Sequence, residues 1–169
     1  MHALKAIIEG YDPTTIKQVK AYARDILSKI SGFMLPFSVA RVLRKHNIPY
    51  ETFSARGYSY QQKVNILKKK LKTGPILLLI ANAYGGGDKP SIPRALLRWH
   101  YITLRGYDEK KQIFFIHDSN TKKRKFSNLP IGNSRFTYKE LVRYRSIGAT
   151  RIMSSYGIHV YYDKKKINQ

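Results

Sequence analysis

The stretch WHYITLRGYDEKKQIFFIHDS, residues 99–119, decides how this chain is read. It has the form of two strands around a charged turn, with His100 opening the first and Asp118 closing the second. Alternate side chains share a face of a strand, so His100 groups with Ile102 and Leu104, and Asp118 with Ile116 and Phe114. Register decides whether the two sets meet. A three-residue loop with Tyr107 opposite Lys111 sets His100 directly opposite Asp118, close enough for the carboxylate to orient the imidazole. A loop of two or four residues with no bulge splits them across opposite faces. The residues themselves leave two readings open: a catalytic His/Asp pair, or polar strand ends that cap the hairpin or form a partly buried pair fixing it.

Outward from the hairpin, ILLLIANAY is a continuous apolar run of strand length, the pattern of a strand covered on both faces. Before it, YSYQQKVNILKKKLKTGP sets Val64, Leu67 and Leu71 on one stripe with lysines opposite, and Gly74 is read as the stop. In this reading KKKLK is mainly the wet face of a helix. Earlier still, Asp12 and Pro13 open an amphipathic helix closed by Gly32, and a second helix follows Pro36 until HNIP stops it. Tyr50 to Phe53 is a short strand. Beyond the hairpin, GGGDKPSIP on one side and NTKKRKFSNLPIGNS on the other are irregular. Thr137 with Glu140 three residues later starts a last helix, and YGIHVYY is a closing strand. Helices come first, then strands with one late helix, which favours an α+β domain over an alternating βαβ sheet. We expect one domain over residues 1–163, with helices in 1–73 and the sheet in 74–163, and a basic tail at 164–169.

Length and composition set limits. A chain of 169 residues can bury one core without disulfides or a structural metal. With no cysteine it has no disulfide, no thiolate zinc site and no thiol nucleophile of its own. No apolar tract is long enough to span a bilayer, and MHALKAIIEG is too short to be a secretory signal, so the default expectation is a cytoplasmic protein. His2, His46 and His159 have no neighbouring ligand pattern, the Gly85–Gly87 run lacks the spacing of a phosphate loop, and no metal or cofactor is expected. The 32 Lys and Arg against 10 Asp and Glu leave a formal charge of +22, which attracts polyanions. Lys68, Lys69 and Lys70, and Lys122, Lys123, Arg124 and Lys125, are the basic clusters a nucleic acid would meet; a solvated lysine-rich surface is the alternative.

The order of these elements resembles the double-glycine leader peptidase-like branch of the papain superfamily. GFMLPFSVARVLRKHNIPYE is similar to that family's Gly and Pro before a helix and short strand. LKKKLKTGPILLLI is similar to its amphipathic helix, Gly-Pro break and buried strand. WHYITLRGYDEKKQIFFIHDS resembles its most diagnostic part, a His, a strand ending in Gly-Tyr-Asp, a turn, and a strand ending in Asp. The resemblance implies a papain-like α+β fold with N-terminal helices packed on a mainly antiparallel sheet. It makes His100 the general base, Asp118 its orienter and a peptide the substrate or ligand.

The chain departs from the family where the chemistry starts. The family's nucleophile is a Cys in a Cys-Gly-Pro segment opening the first helix, preceded by an oxyanion-stabilising Gln, and this chain has neither. ALKAIIEG looks like the second half of that helix, which puts the missing Cys before Met1. The expectation is a truncated thiol peptidase or an inactive pseudoenzyme, since a His/Asp pair without a thiol cannot form an acyl-enzyme. Ser31 with Gly32 mimics Cys-Gly but stands one helix too late. The competing reading is a basic module for nucleic acid or another polyanion; a peripheral protein on anionic membranes is a third, supported by charge alone.

Overall fold

The computed structural model describes Ile7 and residues 36–81, 99–117, 133–146 and 156–162. Three helices and six strands follow in order: α1 (Pro36–Lys45), β1 (Tyr50–Phe53), α2 (Tyr60–Leu71), β2 (Ile76–Ala81), β3 (Trp99–Asp108), β4 (Ile113–His117), β5 (Asn133–Thr137), α3 (Tyr138–Tyr144) and β6 (Gly157–Val160). The strands form one antiparallel sheet in the order β1-β6-β2-β3-β4-β5. The expected α+β class with helices on an antiparallel sheet is the architecture observed. The helix opened by Asp12 and Pro13, the glycine-rich loop and the basic tail lie outside the described residues.

Local sequence explains the helices. In α1, Val39, Val42 and Leu43 recur at helical spacing and are buried. The helix ends as Asn47 takes a left-handed φ of 53° and the Ile48 amide turns back to the Leu43 carbonyl at 3.0 Å. Helix α2 buries the stripe read from sequence, Val64, Leu67 and Leu71. Both α2 and α3 begin with a capping box. Ser59 and Gln62 exchange side-chain and backbone hydrogen bonds at the first, Thr137 and Glu140 at the second.

The sheet is covered on both faces. On one, α1 and the helical residue Ile7 pack with Leu77, Leu79, Tyr101, Ile158 and Val160. On the other, α2 and α3 pack with Ile76, Leu78, Ile80, Ile102, Leu104, Phe114, Ile116 and Phe136. Strand β2 is buried at all six positions, as its unbroken apolar run requires.

Three sequence readings are corrected. Residues 133 and 134, taken as the end of an irregular segment, open edge strand β5; its only large apolar residue is Phe136, so period-2 alternation is too short to register. Gly74 is a glycine for a different reason than a helix stop. A Cβ there would lie 1.7 Å from the Val160 carbonyl oxygen, so glycine is what lets the chain leaving α2 lie against β6. The KKKLK stretch is not simply the wet face of α2, because Lys68 and Lys70 are largely covered, as their ion pairs below explain.

Candidate active site

Strands β3 and β4 carry the hairpin that the sequence singled out, and their register is not the one a three-residue loop gives. Tyr107 stands opposite Phe114, not Lys111, and Asp108 opposite Ile113, leaving a four-residue loop from Glu109 to Gln112. Gln112 takes a left-handed φ of 52°, and the Lys111 amide donates to Asp108 Oδ1 at 3.0 Å, closing the turn. Such a loop alone would put His100 and a residue at position 118 on opposite faces. The register shifts, however, between Leu104 and Gly106, where Arg105 is the extra residue of a β-bulge. Beyond it Leu104 pairs with Ile116 and Thr103 with His117. One inserted residue thus reverses which side chains of β3 and β4 share a face beyond the bulge.

The turn end of the hairpin is anchored. Lys68 of α2 reaches Glu109 at 2.6 Å and lies 5.6 Å from the centre of the Tyr107 ring. The Tyr138 hydroxyl donates to the Asp108 carbonyl at 3.4 Å, and the Tyr138 amide to the Gln112 carbonyl at 2.9 Å. Burial and the acidic groups beside it push that hydroxyl up to about 12, so it remains a donor throughout the physiological range. One end of the hairpin is thus pinned to α2 and α3, and His100 stands near the other.

His100 is the second residue of β3, opposite Ile80 of β2, and half-buried. Through that pairing it shares the α2/α3 face with Ile80 and Ile102, at the rim of the sheet. Ile7, the described residue of ALKAIIEG, packs on the other face with α1. His117 lies on the opposite face from His100, beside Thr103. Asp118 and Ser31 lie outside the described residues. Among the described residues no group of three or more His, Asp or Glu could hold a metal ion, and no helix is long and apolar enough to cross a membrane.

The basic clusters fare differently from one another. Lys68 is paired with Glu109, and Lys70 with Glu51 while lying 4.8 Å from the centre of the Phe53 ring. Lys69 alone of the three is exposed. Lys122, Lys123, Arg124 and Lys125 lie outside the described residues. Of the first cluster, then, two of three ammonium groups already have carboxylate partners within the fold.

No family model and no curated protein matches this chain. Among solved structures, the peptidase domain of Streptococcus ComA aligns with a TM-score of 0.54, over 94% of this chain and 87% of that one. The fold is similar to that of a peptidase domain. ComA is described as a bi-functional ABC transporter involved in a quorum sensing pathway, and its peptidase domain shares 15% sequence identity with this chain. Likeness at that identity speaks for architecture: the ComA peptidase domain and this chain share a fold across nearly their whole lengths. The chemistry must be argued from the residues present.

Sequence reasoning missed three features of the fold, the first of them at the candidate site. The Arg105 bulge had a faint signal in Gly106 within an apolar strand. The Ser59/Gln62 box had a clear one, Ser-x-x-Gln before an apolar stripe. The partners of His159 had none, since they come from positions 51 and 73.

Proposed function

We propose that this chain is a peptide-handling domain built on a peptidase fold, in which His100 is the general base of the site and Asp118 the carboxylate that orients it. The observation that carries the reading is the bulge at Arg105. It gives the β3–β4 register the parity a His/Asp pair requires, within a fold similar to a peptidase domain. Strand pairing that kept this parity would favour a carboxylate at position 118 on the face of His100, which supports the assignment.

The reaction such a pair supports is acyl transfer. An imidazole takes the proton of a nucleophile and returns it to the leaving amine, while the carboxylate holds the ring in the tautomer this needs. The chain supplies no thiol, so on its own it holds a peptide at the His100 rim without cutting it. Lacking the nucleophile removes nearly all of a triad's acceleration, because its members act as a unit.

The test is a pair of measurements on the purified chain with a fluorescent peptide ending its leader in Gly-Gly. Binding is expected without cleavage or an acyl-enzyme burst, and His100→Ala should weaken binding, with Asp118→Asn changing the His100 ring resonances in NMR. Cleavage abolished by Ser31→Ala would replace this reading with a serine nucleophile. Ring resonances indifferent to Asp118→Asn would remove Asp118 from the site.

A further inference from the structure

His159 lies away from the His100 rim, on β6, opposite Glu51 of β1 and Ile76 of β2. Only 1% of it is exposed. Its Nδ1 is 3.0 Å from Glu51 Oε1, and its Nε2 is 3.2 Å from Thr73 Oγ1, just past the end of α2. The Thr73 hydroxyl is also 3.1 Å from the Lys70 carbonyl oxygen in the last turn of that helix. Lys70 Nζ pairs with the same Glu51 oxygen that faces the ring. Tyr161 sets its ring edge against the imidazole at 4.5 Å between centroids. Side chains from β1, the end of α2 and the end of β6 thus converge on one buried imidazole.

Hydrogen-bond accounting constrains the protons. The Lys70 ammonium, and to a lesser degree His159 and Tyr161, hold the Glu51 carboxyl down at about 2 against the opposing effect of burial, so it is an acceptor only. Nδ1 must therefore carry a hydrogen. Nε2 is then an acceptor in the neutral ring and a donor in the cation. Thr73 can serve either state. With the ring neutral, its O–H points to Nε2; with the ring protonated, Nε2–H donates to Oγ1 and the hydroxyl hydrogen turns to the Lys70 carbonyl. Neither state leaves a buried ring nitrogen unpaired, an omission that costs about 1–3 kcal/mol.

We propose that Thr73, His159 and Glu51 form a two-position proton latch: protonating His159 turns the Thr73 hydroxyl onto the last turn of α2 and tightens that helix end against the β1–β6 edge. The charged and titratable groups facing the ring are Glu51 from β1, Lys70 from α2 and Tyr161 after β6; β2 presents Ile76. On the solvent side of the ring Thr73 is exposed and Glu51 is partly so.

The experiment is NMR on the full chain, reading the ring nitrogens of His159 and the exchange of the Thr73 amide, which donates to the Lys70 carbonyl at 3.0 Å. The neutral ring is expected as the Nδ1–H tautomer. As the ring takes up its proton, protection of the Thr73 amide, corrected for intrinsic exchange, should rise about fivefold, the worth of one hydrogen bond. Thr73→Val keeps the shape at a solvent-facing position and should abolish that rise, while Thr73→Ser should keep it. An Nε2–H tautomer, or the same rise in Thr73→Val, would overturn the proposal.

Discussion

Gly74 and Glu51 are single residues whose roles belong to contacts made far along the chain. The Thr73 carbonyl accepts from the Tyr162 amide and the Pro75 carbonyl from the Val160 amide, both at 2.9 Å, so the backbone around Gly74 is stitched to β6. Gly74→Ala forces a methyl into the Val160 carbonyl and is expected to cost about 3 kcal/mol in urea unfolding. Gly57→Ala, at φ 78° in open space, should cost only about 1 kcal/mol, for backbone strain alone. Glu51 sets a pH limit. Its carboxyl lies at about 2 in the fold against an ordinary 4.5, so the stabilisation it gives is complete above pH 4.5 and is lost as pH falls toward 2. Glu51→Gln should flatten the acid limb of the stability curve in that window, measured by denaturant titration at successive pH values; an unchanged limb would assign acid sensitivity to other carboxylates. The sequence showed Gly-Pro after a helix, and a lone Glu in a short strand. It could not show that both meet β6, because nothing local links positions 51, 74 and 160.

At the level of helices and strands, legibility followed the strength of the periodic signal. The stripe Val64, Leu67 and Leu71 and the six buried residues of β2 were readable because packing on one face or two imprints a distinct pattern. The Thr137/Glu140 box was readable because both members of the motif are local. Ser59→Ala and Thr137→Ala should each cost about 1 kcal/mol in thermal or chemical unfolding, the usual worth of a cap. Edge strand β5 left almost no trace, since a polar edge pairs through its backbone and buries one aromatic side chain. The Arg105 bulge was the costliest omission. The grouping of Ile102 and Leu104 with His100 on one face holds, but a single extra residue at 105 changes how that face registers with β4, and its position could not be read from alternation. Of the candidate site, the strand that carries His100 was legible in the sequence, while the register that relates it to β4 needed the fold.

For the molecule as a whole, a charge of +22 is the dominant long-range term. Salt shortens the reach of that repulsion from about 10 Å at 0.1 M to about 3 Å at 1 M, so Tm should rise with sodium chloride over that range. A fall would mean that pairs such as Lys68 with Glu109 outweigh the repulsion. Charge said nothing about the interior, and the shared architecture with a peptidase domain rests instead on the order of apolar segments. That order places β6, the last strand, between β1 and β2 in the sheet. Pairings such as Tyr50 with Val160 join residues more than a hundred positions apart, the kind of contact that slows folding most. Among the described strands β1 has no neighbour and β2 an open edge until β6 leaves the ribosome, so this part of the sheet closes only once β6 has been made. Nascent chains stalled before Gly157 should accordingly be cut by protease within β1 and β2, and those stalled well beyond Tyr162 should resist.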